Sequence, residues 1–304
     1  MLANSIAIVT PSYEGDRARC ELLCESIDRM AHGDWHHYVL VADHDMPLFE
    51  HLAGPRRTIV PDSILLPKWL KPIRNPFNPK ARWRWISTKL TAPVFPMTGW
   101  HVQQLRKILV ARIVDAPIIV MADSDSIVLR PFGPELFIKK DKIRLQVLEK
   151  AILMDTPSFK HHVTWSKGAA QLLGLPSPAF PADDFIHNLV SWRREDVLAM
   201  IDHIERTNGR DIVSAMGRHR TFSEYQIYGS YIRNISSSAA YWADSQPLCH
   251  TYWNGDALTQ ETFDVFTQSM APEQIAICVQ SFTDTSVGMI RDYMNRFSAT
   301  TAGT

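Results

Sequence analysis

The chain of 304 residues is short of several things, and each shortage excludes a class of protein. Its four cysteines include no CxxC pair. That argues against a thiolate metal cluster, although Cys20 and Cys24 share a helix face and Cys249 adjoins His250, and small buried side chains are the expected role. No apolar run approaches the ~20 residues that a membrane-spanning helix needs. The opening MLANSIAIVTPSYEG has no basic leader and reads as a first strand, not a signal peptide. We therefore expect a cytoplasmic protein with reduced thiols. Net charge is also missing, with acidic and basic residues balanced at 32 each, so no global field favours nucleic acid as a partner. Internal repeats and low-complexity tracts are absent. No glycine-rich phosphate loop follows the first strand, which argues against a nucleotidyltransferase.

What is present alternates between strand and helix patterns. Ser5–Thr10 reads as a buried strand, with Asp16 capping a helix that runs to about Met30 and stops at His32-Gly33. His37–Ala42 and Thr58–Pro61 read as a second and a third strand. Prolines then recur from Pro61 to Gly99, and a long irregular loop is expected. Trp100–Val114 has helical periodicity, and Ile118–Met121 is apolar on both faces, as a central parallel strand would be. Further on, the pattern predicts a strand near Arg144–Leu148 and helices near Trp165–Leu173, over Arg194–Thr207 and from Phe222. The whole implies one α/β domain over 1–304 with a doubly wound, mostly parallel sheet.

The stretch IIVMADSDSIVLRPF carries the chemistry. In extended chain Asp123 and Asp125 point the same way, just past the carboxyl end of a buried strand, where open parallel sheets bind ligands. Neighbouring carboxylates repel unless a cation separates them, and hard oxygens suit Mg²⁺ or Mn²⁺. Aspartates at such a position also start turns through side chain to backbone bonds.

An opening strand followed by TPSYEGD, a second strand ending in ADHD and an apolar strand ending in DSD resemble the GT-A glycosyltransferases, in particular bacterial ones associated with polysaccharide synthesis. The resemblance covers the first 130 residues best. It implies a GT-A, Rossmann-like fold with residues 1–130 as the nucleotide-sugar half and 131–304 as the acceptor half. It further implies a nucleotide-diphospho-sugar donor, a glycan, lipid-linked or other hydroxyl acceptor, and Mn²⁺ or Mg²⁺ as cofactor. Asp125 would hold the metal against the diphosphate, Asp123 would touch ribose and metal, and His250 in SQPLCHTYW would be a third ligand. Pro11, Ser12 and Tyr13 would grip the nucleoside, with Asp43, more than Asp45, binding base or ribose.

Transfer to a hydroxyl needs a proton acceptor, and Glu224 in TFSEYQIYGSYI is our candidate base for an inverting reaction. Thr221-x-x-Glu224 also matches a capping box, in which the glutamate would only bond backbone. Asp183 and Asp184 stand in reserve. Lys107 is a candidate to reach donor phosphate or sugar, although a helical lysine is more commonly solvated. From Ser63 to Val114 there is no acidic residue, while Lys68, Lys71, Arg74, Lys80, Arg82, Arg84 and Lys89 alternate with Trp69, Trp83 and Trp85. Capture of a phosphorylated acceptor, or peripheral contact of 63–90 with the inner face of an anionic membrane, would use that local field; a solvated connector would not. Single-stranded nucleic acid is discounted because no known binding motif accompanies the stretch. ADSDSIV also approximates the DxD pattern of haloacid-dehalogenase-like phosphatases, with Asp123 as nucleophile and Lys167, Asp183 and Asp184 as later partners. A non-catalytic sugar-binding module is the remaining alternative.

Overall fold

The computed structural model describes residues 5–74, 77, 82–155, 160–236 and 238–301. Lys80 of the basic stretch lies outside the described residues. The chain opens with β1 (Ser5–Pro11), buried almost throughout, and α1 (Arg17–Met30). In α1, Cys20, Leu23, Cys24 and Ile27 recur at helical spacing and turn inward. Gly33, with φ of 77°, supplies the left-handed step that admits β2 (Asp34–Val41). β3 (Arg57–Pro61) follows.

The proline-rich segment expected to be irregular contains a small antiparallel sheet of β4 (Leu70–Ile73), β5 (Arg84–Ser87) and β6 (Met97–Thr98). Its strands are too short to show a period of two, and Pro72 is tolerated because β4 is an edge strand. β6 runs directly into α2 (Gly99–Leu109), so the expected helix over Trp100–Val114 ends sooner, in a 3-10 turn at Val110–Arg112. Then come β7 (Ile118–Met121), β8 (Ser126–Val128), β9 (Val190–Arg193), α3 (Arg194–Asn208), α4 (Glu224–Asn234), β10 (Cys249–Tyr252) and β11 (Ala276–Val279).

The central sheet has the order β9-β7-β1-β2-β3 and is flanked by helices. β1 pairs parallel with both β2 and β7, β2 pairs parallel with β3, and only β9 runs antiparallel. The fold is thus mixed α/β with a mostly parallel five-stranded sheet. Strands two and three lie on one side of β1 and β7 on the other, so the chain reverses direction between β1 and β7. In open sheets of this kind ligands bind outside the carboxyl ends of the two strands at such a reversal, the place we call the crevice. A second sheet, β10-β11-β8, continues from the loop beyond β7 and walls one side of it. No helix among the described residues is long and apolar enough to cross a membrane.

A buried ion pair fixes the crevice's near edge. Arg106 of α2 grips Asp62 with two contacts, Nε to Oδ1 at 2.6 Å and Nη2 to Oδ2 at 2.9 Å, and its Nη1 donates to the carbonyl of Ser12 at 3.3 Å. Breaking such a pair leaves a charge without compensation in the interior. We expect Asp62→Ala to cost about 3–5 kcal/mol in urea denaturation, and the joint change Arg106→Met with Asp62→Leu to recover most of it. An Asp62→Ala midpoint equal to that of the wild type would show that the pair carries no stability.

Candidate functional site

Lys107 stands on the inward side of α2, 2% exposed. Its Nζ lies 2.7 Å from Asp123 Oδ1 and 3.0 Å from Glu224 Oε1, donates to the Tyr225 hydroxyl at 2.8 Å, and sits 4.5 Å from the centre of that ring. An ammonium buried this deeply is tolerable only when paired. Burial alone would lower its pKa, but Asp123, Tyr225 and Glu224 together outweigh burial and raise it well above the usual value. The lysine is therefore a permanent cation. Burial raises the Glu224 carboxyl above its ordinary range, with Lys107 opposing, and raises the Tyr225 phenol further.

The sequence expectations for these residues need correction in two places. Lys107 is not a solvated surface lysine. The capping box between Thr221 and Glu224 is not formed either, because Ser223 is the N-cap of α4, with its hydroxyl facing the Gln226 N–H. Glu224 is instead the first helical residue, its N–H donating to Gln104 Oε1 at 3.0 Å while its carboxylate turns to Lys107. Gln104 and Lys107 sit one turn apart on α2, so a single helix face holds both ends of Glu224. Tyr225 carries no sequence signal beyond adjacency to Glu224.

The two aspartates of DSD part company. Asp123 reaches Lys107 and stays partly exposed, whereas Asp125 is buried, accepting from Cys278 Sγ at 3.2 Å and from the Ser281 N–H at 3.1 Å. Burial, followed by the charges of Asp123 and Asp16, pushes the Asp125 carboxyl up to about 7. Asp16, expected as the cap of α1, makes no side-chain cap bond. It accepts from Ser124 Oγ at 3.2 Å, and burial raises its pKa too, with Asp123 adding to the effect. The crevice thus holds three mutually repelling carboxylates, hard oxygens of the kind that suit Mg²⁺ or Mn²⁺. Among the described residues, no three aspartate, glutamate, histidine or cysteine side chains are grouped so as to hold an ion, so Mg²⁺ or Mn²⁺ bound to these aspartates would need further ligands from a diphosphate. We assign no step to a metal.

His250, expected as the third ligand, faces away. Its Nε2 lies 3.0 Å from the carbonyl of Phe266 and 3.0 Å from Ser269 Oγ, and its ring stacks on Phe266 at 4.4 Å. The reason is strand alternation: Cys249 turns toward the aspartates, and Asp125 contributes to raising its thiol pKa, so His250 projects from the opposite face of β10.

On the other side of the crevice Pro11 ends β1, and Ser12 follows it, buried, with its N–H on the carbonyl of Leu40. Tyr13 is exposed beside the crevice, its ring close over Gly15, where a Cβ would come within 2.5 Å of it. Asp43 is exposed and accepts from the Ser63 N–H at 3.0 Å, while Asp45 is buried and accepts from the Glu14 N–H at 3.2 Å. Of this pair, Asp45 shapes the loop after β1 and Asp43 is the one open to solvent. The reserve residues have other partners: Asp183 meets the Lys150 N–H and Arg233, and Asp184 holds His162 and, on the first turn of α4, Gln226. Lys167 sits over Phe180, 5.7 Å from the ring centre.

Asp125 yields a pH dependence. Its folded carboxyl keeps a proton that the unfolded one, at the ordinary 3.8, releases. The stability it contributes is complete below that value and is lost as pH rises through about 7, with a slope approaching about 1.4 kcal/mol per pH unit in between. Asp125→Asn cannot ionise, so its melting temperature relative to the wild type should climb between about pH 4 and about pH 8. A difference that stays constant across that window would mean that Asp125 titrates normally.

No curated protein matches the chain. The model of one family matches residues 4–302, nearly the whole length. The protein accordingly belongs to DUF6492, a family of unknown function.

Proposed function

We propose that this protein is a glycosyltransferase of the GT-A type, moving a sugar from a nucleotide-diphospho-sugar to the hydroxyl of a glycan, lipid-linked or other acceptor. The observation that carries the reading is the convergence of Lys107, Asp123 and Glu224 at the switch-point crevice, since Asp123 belongs to the DSD of the resemblance, Glu224 is the candidate base and Lys107 the candidate contact to the donor. Asp123, the partly exposed member, addresses the donor. Lys107 holds Asp123 in place and contributes positive charge close to where a leaving diphosphate gains negative charge. Glu224 takes the acceptor proton, and its raised pKa brings it nearer the range in which a general base works at neutral pH. The phosphatase reading has less support, because the contacts of Lys167, Asp183 and Asp184 are with groups other than Asp123.

One observation favours a second role for Glu224. It is only 3% exposed, and a base must reach its substrate, so the carboxylate is also placed to act as a positioning residue for Lys107. Glu224→Gln separates the two roles. As base, its loss lowers transfer by roughly 10² to 10⁴ and removes the acidic limb of the kcat/KM profile, with the circular-dichroism spectrum unchanged. A small fall in rate with the limb intact would assign Glu224 to positioning alone.

Donor binding is tested without knowing the acceptor. A nucleoside diphosphate, supplied with Mn²⁺, should stabilise the wild type by about 2.7 kcal/mol at a hundredfold excess over Kd, seen as a raised melting temperature. Asp123→Asn should abolish the shift. A panel of nucleoside diphosphates that leaves the wild type unmoved would remove the donor from the proposal.

A further inference from the structure

The small sheet β4-β5-β6 has two unlike faces, and its register sorts them. Directly paired residues of an antiparallel sheet point to the same side, and successive residues alternate. Trp85 pairs with Pro72 and with Met97, and Trp85 and Met97 are buried with Leu70, so this face is the inner one. On the outer face Ile73 pairs with Arg84, Arg84 with Thr98, and Lys71 with Ile86. Each isoleucine there lies against a basic residue. The tryptophans that alternate with cations in the sequence do not share this face as a stacking surface: Trp85 is buried, and Trp69 and Trp83 pack against the core.

The same segment of chain exposes apolar side chains that a solvated connector has no reason to present. Leu90 is 100% exposed and Phe77 95%, and Ile64, Ile73 and Phe95 are exposed as well. Lys68, Lys71, Arg74, Arg82, Arg84 and Lys89 of that segment are exposed too, and no acidic residue occurs between Ser63 and Val114 to offset their charge.

We propose that this outer face docks the protein onto an anionic lipid bilayer surface, with Leu90 and Phe77 entering the headgroup region and the lysines and arginines meeting lipid phosphates. Charge complementarity selects lipid as the occupant. A protein partner's interface core is depleted in charge and contiguous in apolar area, whereas here single apolar side chains are set among cations. Juxtamembrane basic residues each strengthen attraction to an anionic leaflet, and apolar side chains add interfacial burial. The proposal is independent of the glycosyl-transfer reading.

The test is co-sedimentation of the full chain with vesicles, some of phosphatidylcholine alone and some of phosphatidylcholine mixed with phosphatidylglycerol. Binding is expected only to the anionic vesicles and should weaken as salt is raised. Lys71→Ser with Arg84→Ser should weaken it by roughly 25-fold, about fivefold per charge. Leu90→Ser with Phe77→Ser should weaken it at every salt concentration while leaving the salt dependence itself unchanged. All four positions are exposed, and melting temperatures measured alongside separate a loss of binding from a loss of fold. Equal binding to neutral and anionic vesicles, binding unaffected by both pairs of changes, or a Leu90-dependent dimer in sedimentation without vesicle binding would each overturn the proposal.

Discussion

An ammonium group with almost no access to water is the constraint around which the crevice is arranged. Lys107 must have partners at every physiological pH, and it draws them from two stretches of chain far from its own helix: the loop after β7, and the start of α4. Asp123 and Glu224 would repel each other without it. Gln104 anchors the backbone of Glu224 from the same helix face, so α2 fixes α4 through a charge and a hydrogen bond placed one turn apart. The capping of α4 follows from this arrangement, with Ser223 at the helix start and the glutamate left to pair with the lysine.

The same helix connects the crevice to the protein's basic face. β6 enters α2 without a break, and Arg106, the residue before Lys107, secures the loop after β1 through Asp62 and the Ser12 carbonyl. Consecutive residues of one helix thus hold the two walls of the crevice. At a rise of about 1.5 Å per residue, Lys107 lies on the order of 14 Å along the helix from the end of the small sheet. A surface held by that sheet would lie close to whatever occupies the crevice.

Electrostatics divide the site into a titrating part and a fixed part. Asp125 and Asp16 are carboxyls whose ionisation is opposed by burial and by the charge of Asp123, whereas Lys107 and its partners form a compensated set. The loop after β7 serves both, since Asp123 faces the lysine and Asp125 faces Cys278 and Ser281. One residue of spacing therefore separates two chemical environments.

The parts of the protein governed by local pattern were legible in the sequence. β1 and β7 are apolar on both faces because both faces are covered, β2 and β3 each carry a short apolar run, and α1 and α3 repeat their apolar residues at helical spacing, so each could be found within a few residues of its ends. Asp123, Glu224 and Lys107 were identifiable as candidates from residue type and place. Their union was not, because Lys107 and Tyr225 are 118 residues apart and no local period encodes which buried charge will meet which. The short strands of the small sheet escaped for a related reason: four residues or fewer show no reliable alternation, and their faces exist only once they pair. His250 shows the opposite error, a suitable residue type at a plausible place that strand alternation turned toward Phe266. Residue type and periodicity determined the elements and the candidates, whereas long-range pairing and the need to compensate buried charge decided which of those candidates share a site.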